Sequence, residues 1–176
     1  AGIAFSGQDI DRLAETPAVL DFTGLLRALW HEADNVAWAR LLRAPFVGLS
    51  WDDLCRLREE GAPLLRQAVL EPGAPSLSPE GQTATARLRE VIHWVEAQPQ
   101  SRDLRWALST AWHLLGGPAC VNEAERRDID RVMSLLDRYA PAGLLEDIEG
   151  LERAIDSLYA TPPANPVELM TVHRSK

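Results

Sequence analysis

The sequence predicts a mainly α-helical fold with two short strands near its ends, and three observations support this. Apolar residues recur at intervals of three and four over most of the chain, as at Val19, Phe22 and Leu26, which is the spacing of one helix face. Capping residues precede several of these stripes, and prolines or glycines separate them. Only residues 2–5 (GIAF) and 167–172 (VELMTV) have the apolar, non-helical character of strands.

Helix starts are predicted where a side chain that can accept from the first amide groups precedes an apolar stripe. The predicted caps are Thr16, Asp34, Ser50, Ser78 and Asn122. Proline follows Thr16 and Ser78 directly, and its fixed φ suits the first position of a helix. Asn122 is followed three residues later by Glu125, which is the pattern of a capping box. The second of these helices is predicted to end at 43 and the third at about 60.

Turn residues set the remaining boundaries. A short helix is predicted after Pro63, and residues 71–82 (EPGAPSLSPEGQ) predict a loop because they contain three prolines and two glycines. Another helix begins near Leu104 and ends at the Gly-Gly-Pro of residues 116–118. The last stripe comprises Leu144, Ile148, Leu151, Ile155 and Leu158. These boundaries predict about eight helices.

Composition is typical of one globular domain, since 46% of the 176 residues are apolar and 25% are charged. The net charge of −8 does not attract nucleic acid at long range, so any DNA contact must come from a local basic patch. Cys55 and Cys120 lack the spacing of metal ligands, and we expect two buried, reduced thiols and a cytoplasmic protein. No apolar run is long enough to span a membrane, so no membrane partner is expected.

Three segments resemble the UvrD/RecB branch of superfamily 1 DNA helicases. The sequence VELMTVHRSK resembles the helicase motif numbered V, in which a strand leads into Thr-x-His and then Lys-Gly-Leu-Glu-Phe. This chain has Thr171, His173 and Lys176 but lacks the Gly-Leu-Glu-Phe. Residues 2–29 resemble the segment that leaves the second motor domain. Residues 38–54 (WARLLRAPFVGLSWDDL) resemble the start of the inserted accessory domain called 2B. Within them, the residues LLRAP and GLS most resemble the RecB-like or exonuclease V-like members.

The resemblance implies a division of the chain into three parts. Residues 1–10 would be a stub of the second motor domain, 11–165 the helical 2B-like domain, and 166–176 the returning motor strand. The two strand segments would then belong to one sheet, which places Ile3 and Leu169 within about 10 Å of each other. The expected function is that of a non-catalytic accessory domain, which contacts duplex DNA or regulates the motor in recombination and repair. Its partners would be the remaining helicase domains and a nuclease or helicase subunit.

The resemblance also implies two sets of DNA contacts. Thr171, His173 and Lys176 would contact single-stranded DNA in the parent protein. The turn at Gly48 would grip duplex backbone through main-chain amides, with the Ser50 hydroxyl beside it. From the residues alone, Arg40 and Arg43 form the best local basic patch for duplex DNA. The alternatives are a solvated face for the two arginines and a plain capped helix start for the turn. Asp52 and Asp53 suit that start because carboxylates favour a helix N-terminus and repel phosphate.

Catalysis by this polypeptide is not expected. The sequence has no G-x-x-x-x-G-K-[ST] loop, and Lys176 is the only lysine. No Asp-Glu pair follows an apolar strand to hold magnesium, so ATP and magnesium would belong to the parent motor and no cofactor is expected here. The alternative function is a helical protein–protein interaction module without a DNA role, which the net charge of −8 favours.

Overall fold

A computed structural model describes residues 5–6, 12–60, 62–71, 76–161 and 167–168. The predicted mainly helical class is confirmed, because helices account for most of these residues. The α-helices within them are α1 (Pro17–Trp30), α2 (Asn35–Arg43), α3 (Trp51–Glu60), α4 (Leu65–Leu70), α5 (Pro79–Glu96), α6 (Leu104–Leu114), α7 (Glu123–Tyr139) and α8 (Ile148–Asp156). Short 3₁₀ helices lie at Leu13–Glu15, Pro99–Arg102, Gly117–Cys120 and Pro141–Gly143.

Most helices begin where a side chain accepts from their first free amide groups. Asp34 accepts from the amides of Val36 and Ala37 at the start of α2. The predicted capping box at α7 is present, with Asn122 and Glu125 bonding each other's backbone amide. These caps satisfy donors that have no partner within the helix, so the short-range pattern was sufficient to predict them.

Helices α5 and α8 each begin directly after a capping residue and not at the first apolar residue of their stripe. Part of the predicted loop 71–82 is helical, since α5 begins at Pro79, as the Ser78 cap predicts. The last stripe was predicted from Leu144, but α8 begins at Ile148 because Asp147 accepts from the Gly150 amide. Leu144 is 59% exposed as a result. The apolar stripe was therefore a poorer guide to the helix start than the capping residue.

Thr16 and Cys120 also differ from expectation. Thr16 occupies the N-cap position of α1, but its hydroxyl donates to the Leu13 carbonyl at 2.9 Å and accepts from no helix amide. The fixed φ of Pro17 is then the local feature that favours the helix start. Cys120 is exposed and Cys55 half-buried, so the expectation of two buried thiols was wrong; both are free.

Helix α1 lies at the centre of the packing and contacts α2, α6 and α7. Its buried face carries Val19, Phe22, Leu25 and Leu26. The Phe22 ring meets Trp112 of α6 edge to face, with ring centroids 5.4 Å apart, a preferred aromatic geometry. The buried apolar residues form one continuous cluster, which extends from Leu13 to Ile155. The described residues between 12 and 161 therefore share one hydrophobic core, and we call them the helical block.

Two short segments pair outside the helical block. Phe5–Ser6 (β1) and Val167–Glu168 (β2) are parallel, with Phe5 opposite Val167. The strands expected at residues 2–5 and 167–172 fall mostly outside the described residues, as do Ile3 and Leu169. A motor-domain origin for these segments stays a prediction.

Candidate functional site

The turn between α2 and α3 uses its own backbone amides. Gly48 has a φ of +80°, a conformation that favours glycine. The amides of Val47 and Gly48 donate to the Ala44 carbonyl at 2.9 and 2.8 Å, and that of Leu49 donates to the Leu42 carbonyl at 2.9 Å. Three main-chain donors of the turn are thus engaged within it, whereas the amides of residues 50–52 at the start of α3 have no acceptor among the described residues. An incoming phosphate would have to compete with the first three bonds.

Ser50 caps α3 and bonds the same helix twice. Its hydroxyl oxygen accepts from the Asp53 amide at 3.0 Å, and the hydroxyl donates to the Asp53 carboxylate at 2.8 Å. This is the arrangement of a capped helix start. The geometry therefore supports the structural alternative for Ser50, and a DNA contact by Ser50 or Gly48 stays a prediction.

The two arginines of the predicted basic patch have different surroundings. Arg43 donates from its guanidinium to the Leu49 carbonyl and so supports the turn. Arg40 leans across α1, where its methylene stem covers Gly24; a Cβ added to Gly24 would lie 2.9 Å from the Arg40 Cγ and Cδ. Burial raises the pKa of the nearby Asp21 carboxyl, and the charge of Arg40 opposes that rise. Both arginines are exposed, but Arg43 contacts the turn whereas Arg40 contacts α1.

Carboxylates surround Arg40. Glu152 and Asp156 line the same small cavity as Arg40, with a volume of about 200 Å³. Three carboxylates, counting that of Asp21, therefore lie near Arg40, although Glu152 is also paired with the Arg27 guanidinium. A phosphate approaching Arg40 would meet their negative charge as well as the guanidinium. The arrangement favours the solvated-face alternative, and duplex contact by Arg40 and Arg43 stays a prediction.

Asp53 is a buried carboxylate that joins α3 to the start of α5. It accepts from the Ser78 amide at 2.8 Å and the Ser78 hydroxyl at 2.6 Å, in addition to Ser50. The hydrogen bonds from Ser78 hold the pKa of Asp53 below its usual range. Gly81 gives the carboxylate room, since a Cβ there would lie 2.5 Å from Asp53 Oδ2. From the sequence, Asp53 was predicted only to be a charge in the first turn of α3. Its Ser-x-x-Asp spacing from Ser50 was the available signal for a hydrogen-bonded role.

The chain enters and leaves the helical block at adjacent points. The Leu13 amide donates to the Leu158 carbonyl at 2.8 Å. Arg12 and Tyr159 form an antiparallel bridge. We call these adjacent segments, residues 12–16 and 158–161, the junction.

Helix α7 holds the outgoing segment of the junction. The buried carboxylate of Asp128 accepts from the Thr161 amide at 2.9 Å and from the Thr161 hydroxyl at 2.6 Å. Arg131 donates to the Tyr159 carbonyl at 2.6 Å. Sequence reasoning missed Asp128, because one acidic residue among several on a helix looks like a solvated charge. No local signal distinguishes it, since its partner lies 33 residues away.

The predicted single-strand contacts Thr171, His173 and Lys176 lie outside the described residues. Among the residues that are described, no three or more His, Cys, Asp or Glu side chains are grouped as a metal site. No helix in that part of the chain is long and apolar enough to cross a membrane.

Comparisons with protein-family models and with curated proteins gave no match from which a role could be transferred. No protein-family model matches the chain. No curated protein matches it either.

Proposed function

We propose that this chain is the accessory, 2B-like domain of a UvrD/RecB-type DNA helicase of the exonuclease V kind. The observation that carries the proposal is the junction, where the incoming and outgoing segments run side by side. A domain inserted into a host must leave and rejoin that host, and adjacent connections let it do so without disturbing the host fold. The sequence resemblance assigns the host to the second motor domain.

The parallel pairing of β1 with β2 is a second support. Phe5 pairs with Val167 and Ser6 with Glu168. Parallel strands need a long crossover connection, commonly helical, between them. In the proposed arrangement the helical block takes the place of that crossover. Such a two-residue pair would be stable only as part of a larger sheet, which the motor domain would supply.

The proposed domain acts by position and not by chemistry. ATP and magnesium would be held by the motor domains, and this domain would contact duplex ahead of the fork or change the motor's activity by moving about the junction. Asp128 and Arg131 would limit that movement, because both bind the outgoing segment. We expect no ATP hydrolysis by this chain alone, and DNA-stimulated hydrolysis by a pure preparation would contradict the proposal.

A helical protein-interaction module without a DNA role is the second candidate. The net charge of −8 disfavours phosphate at long range. The amides of Val47, Gly48 and Leu49 also donate within the turn and are not free to bind phosphate. Under this alternative the block would dock a partner subunit, such as a nuclease or a second helicase.

A DNA titration separates the two candidates. The probe is a fluorescent duplex with a 3′ single-stranded tail, and the measurement is its anisotropy at about 50 mM and about 200 mM salt. The accessory-domain proposal predicts weak binding at the lower salt that falls steeply at the higher. Absence of binding at the lower salt, from a chain that circular dichroism shows to be helical, would favour the interaction module.

A further inference from the structure

The outgoing side of the junction ends in three residues, 159–161, that are hydrogen-bonded to helix α7. The amide and hydroxyl of Thr161 donate to the Asp128 carboxylate at 2.9 and 2.6 Å. The Arg131 guanidinium donates to the Tyr159 carbonyl at 2.6 Å. We call residues 159–161 the strap. These bonds hold the strap closed against α7.

The strap contributes little apolar surface to the core. The Tyr159 side chain is 41% exposed, and Ala160 and Thr161 are partly exposed. Tyr159 also forms a bridge with Arg12, which is itself exposed. Segments that have few buried apolar contacts, and whose hydrogen bonds lie near solvent, are the ones that open locally in folded proteins. The strap has both properties.

Leu158, directly before the strap, is held in a different way. Its side chain packs against the hydrophobic core, and its carbonyl accepts from the Leu13 amide at 2.8 Å. Ile155, three residues earlier on α8, is 2% exposed. Detaching Leu158 would therefore disturb the core, whereas detaching the strap would not. The boundary between the two lies between residues 158 and 159.

Release of the strap would not leave Asp128 as a buried, unpaired charge. Both oxygens of its carboxylate accept from the Thr161 amide, so departure of Thr161 would admit water to them. The Arg131 guanidinium lies 3.3 Å from Asp128 Oδ1. Once the Tyr159 carbonyl departs, that guanidinium can pair more fully with the carboxylate. Water and a cationic partner together avoid the cost of a buried unpaired charge, which keeps the open form accessible.

We infer that the strap is a releasable connection, which opens from α7 while the helical block stays folded and the contact between Leu13 and Leu158 stays closed. Three released residues add about 10 Å of chain, and they add it on the outgoing side only. In the proposed accessory domain this slack would let the block tilt against its host while the incoming side stays fixed. That use rests on the proposed function, whereas the opening itself does not.

Amide hydrogen exchange of the unaltered chain, followed by NMR, tests the inference. We expect the Thr161 amide to exchange at least about 100-fold faster than the Leu26 amide in the core of α1, yet at least about 100-fold more slowly than in an unstructured peptide. The Leu13 amide is protected by its contact with Leu158. It should exchange at least about tenfold more slowly than the Thr161 amide.

Low concentrations of urea separate opening of the strap from unfolding of the block. Global unfolding exposes much surface and is therefore promoted by urea, whereas opening of three residues exposes little. The exchange rate of the Thr161 amide should therefore stay nearly constant below the unfolding transition, while that of the Leu26 amide rises.

Two variants weaken the strap from opposite sides. Thr161→Val removes the hydroxyl donor, and Arg131→Gln removes the guanidinium. Each should speed exchange of the residue-161 amide about fivefold without changing that of Leu26. Arg127→Gln is the matched control, because Arg127 is an exposed arginine on the same helix that pairs with Glu123. Its exchange at residue 161 should equal that of the wild type.

Four results would overturn the inference. Equal rates and equal urea dependence for Thr161 and Leu26 would show that the strap opens only when the block unfolds. Exchange of Thr161 as fast as in an unstructured peptide would show that the strap is not closed in solution. Equal rates for Thr161 and Leu13 would show that the whole junction opens together. Exchange in both strap variants equal to that of Arg127→Gln would remove the two hydrogen bonds from the closed form.

The exchange measurement also distinguishes failure of the inference from failure of the proposed function. A strap that opens as expected, in a chain that binds no DNA in the titration above, would support the inference and count against the accessory-domain proposal. DNA binding by a chain whose strap opens only on global unfolding would do the reverse.

Discussion

Asp53 and Asp128 are both buried carboxylates, 2% and 3% exposed, and each accepts from an amide and a hydroxyl of a distant segment. Their partners differ in position. Ser78 lies within the helical block, between α4 and α5, whereas Thr161 lies where the chain leaves it. The same hydrogen-bonding chemistry therefore closes an internal loop in one region and directs an outgoing segment in the other. This difference predicts unequal consequences when each carboxylate is removed.

Asp53→Ala should have the largest effect on stability. The change removes a buried carboxylate and leaves the partly buried Ser78 amide and hydroxyl, and the Ser50 hydroxyl, without their acceptor. It should cost about 2–4 kcal/mol of unfolding free energy. Urea denaturation is the measurement. Asp52→Ala is the control, because Asp52 is the exposed neighbour and should cost less than about 1 kcal/mol. Equal losses of unfolding free energy in Asp53→Ala and Asp52→Ala would contradict a stabilising role for the hydrogen bonds of Asp53.

The stability that Asp53 supplies should depend on pH. Its pKa is lowered in the folded state by the hydrogen bonds from Ser78, so the folded protein binds fewer protons at this site than the unfolded chain. The contribution is therefore present above the unfolded pKa, about 3.9, and is lost as pH falls through the folded value.

Denaturation of the wild type and Asp53→Asn at several pH values measures that dependence. The difference in unfolding free energy should be constant near neutral pH and should narrow below about pH 4. A difference that widens on acidification would contradict the direction of the pKa shift.

Asp128→Ala should have a smaller global effect and a clear local one. We expect a loss of about 1–2 kcal/mol, together with amide exchange at Thr161 that is faster by about tenfold or more. Hydrogen exchange followed by NMR measures the local change. Asp130→Ala is the control on the same helix, since Asp130 is exposed. If the Thr161 amide exchanges at the same rate in both variants, the proposed restraint of the outgoing segment by Asp128 would be disproved.

The two arginines near the turn give the smallest expected effects. Arg43→Ala should cost about 1 kcal/mol, because it removes a charged donor from the Leu49 carbonyl. Arg40→Gln keeps the stem over Gly24 and should leave stability unchanged. If the accessory-domain proposal is right, Arg40→Gln should weaken duplex binding modestly and reduce the salt slope by about 1.

Arg138→Gln is the matched control for the DNA measurement, since it removes one positive charge from the exposed surface of α7. An Arg40 variant whose affinity and salt slope match those of Arg138→Gln would remove Arg40 from any DNA interface.

The positions of most helices followed from the sequence because caps and apolar stripes act over a few residues. Asp34, Ser78 and Asn122 bond amides within three residues of themselves, so their role is readable without the fold. At α8 the predicted apolar stripe starts too early, and the helix begins after Asp147, whose capping role was not predicted. Asp147 satisfies an amide donor that would otherwise lack a partner at the helix start, whereas Leu144 requires only a neighbour to pack against.

Tertiary structure alone decided which polar side chains form hydrogen bonds within the chain and which apolar side chains are exposed. Spacing placed Arg40 and Arg43 in one patch, but only packing directed one of them over α1 and the other onto the turn. Asp53 and Asp128 are buried where they accept hydrogen bonds from Ser78 and Thr161, which lie 25 and 33 residues away. The sequence by itself determined the helices, since these depend on neighbouring residues, whereas the site depends on distant ones.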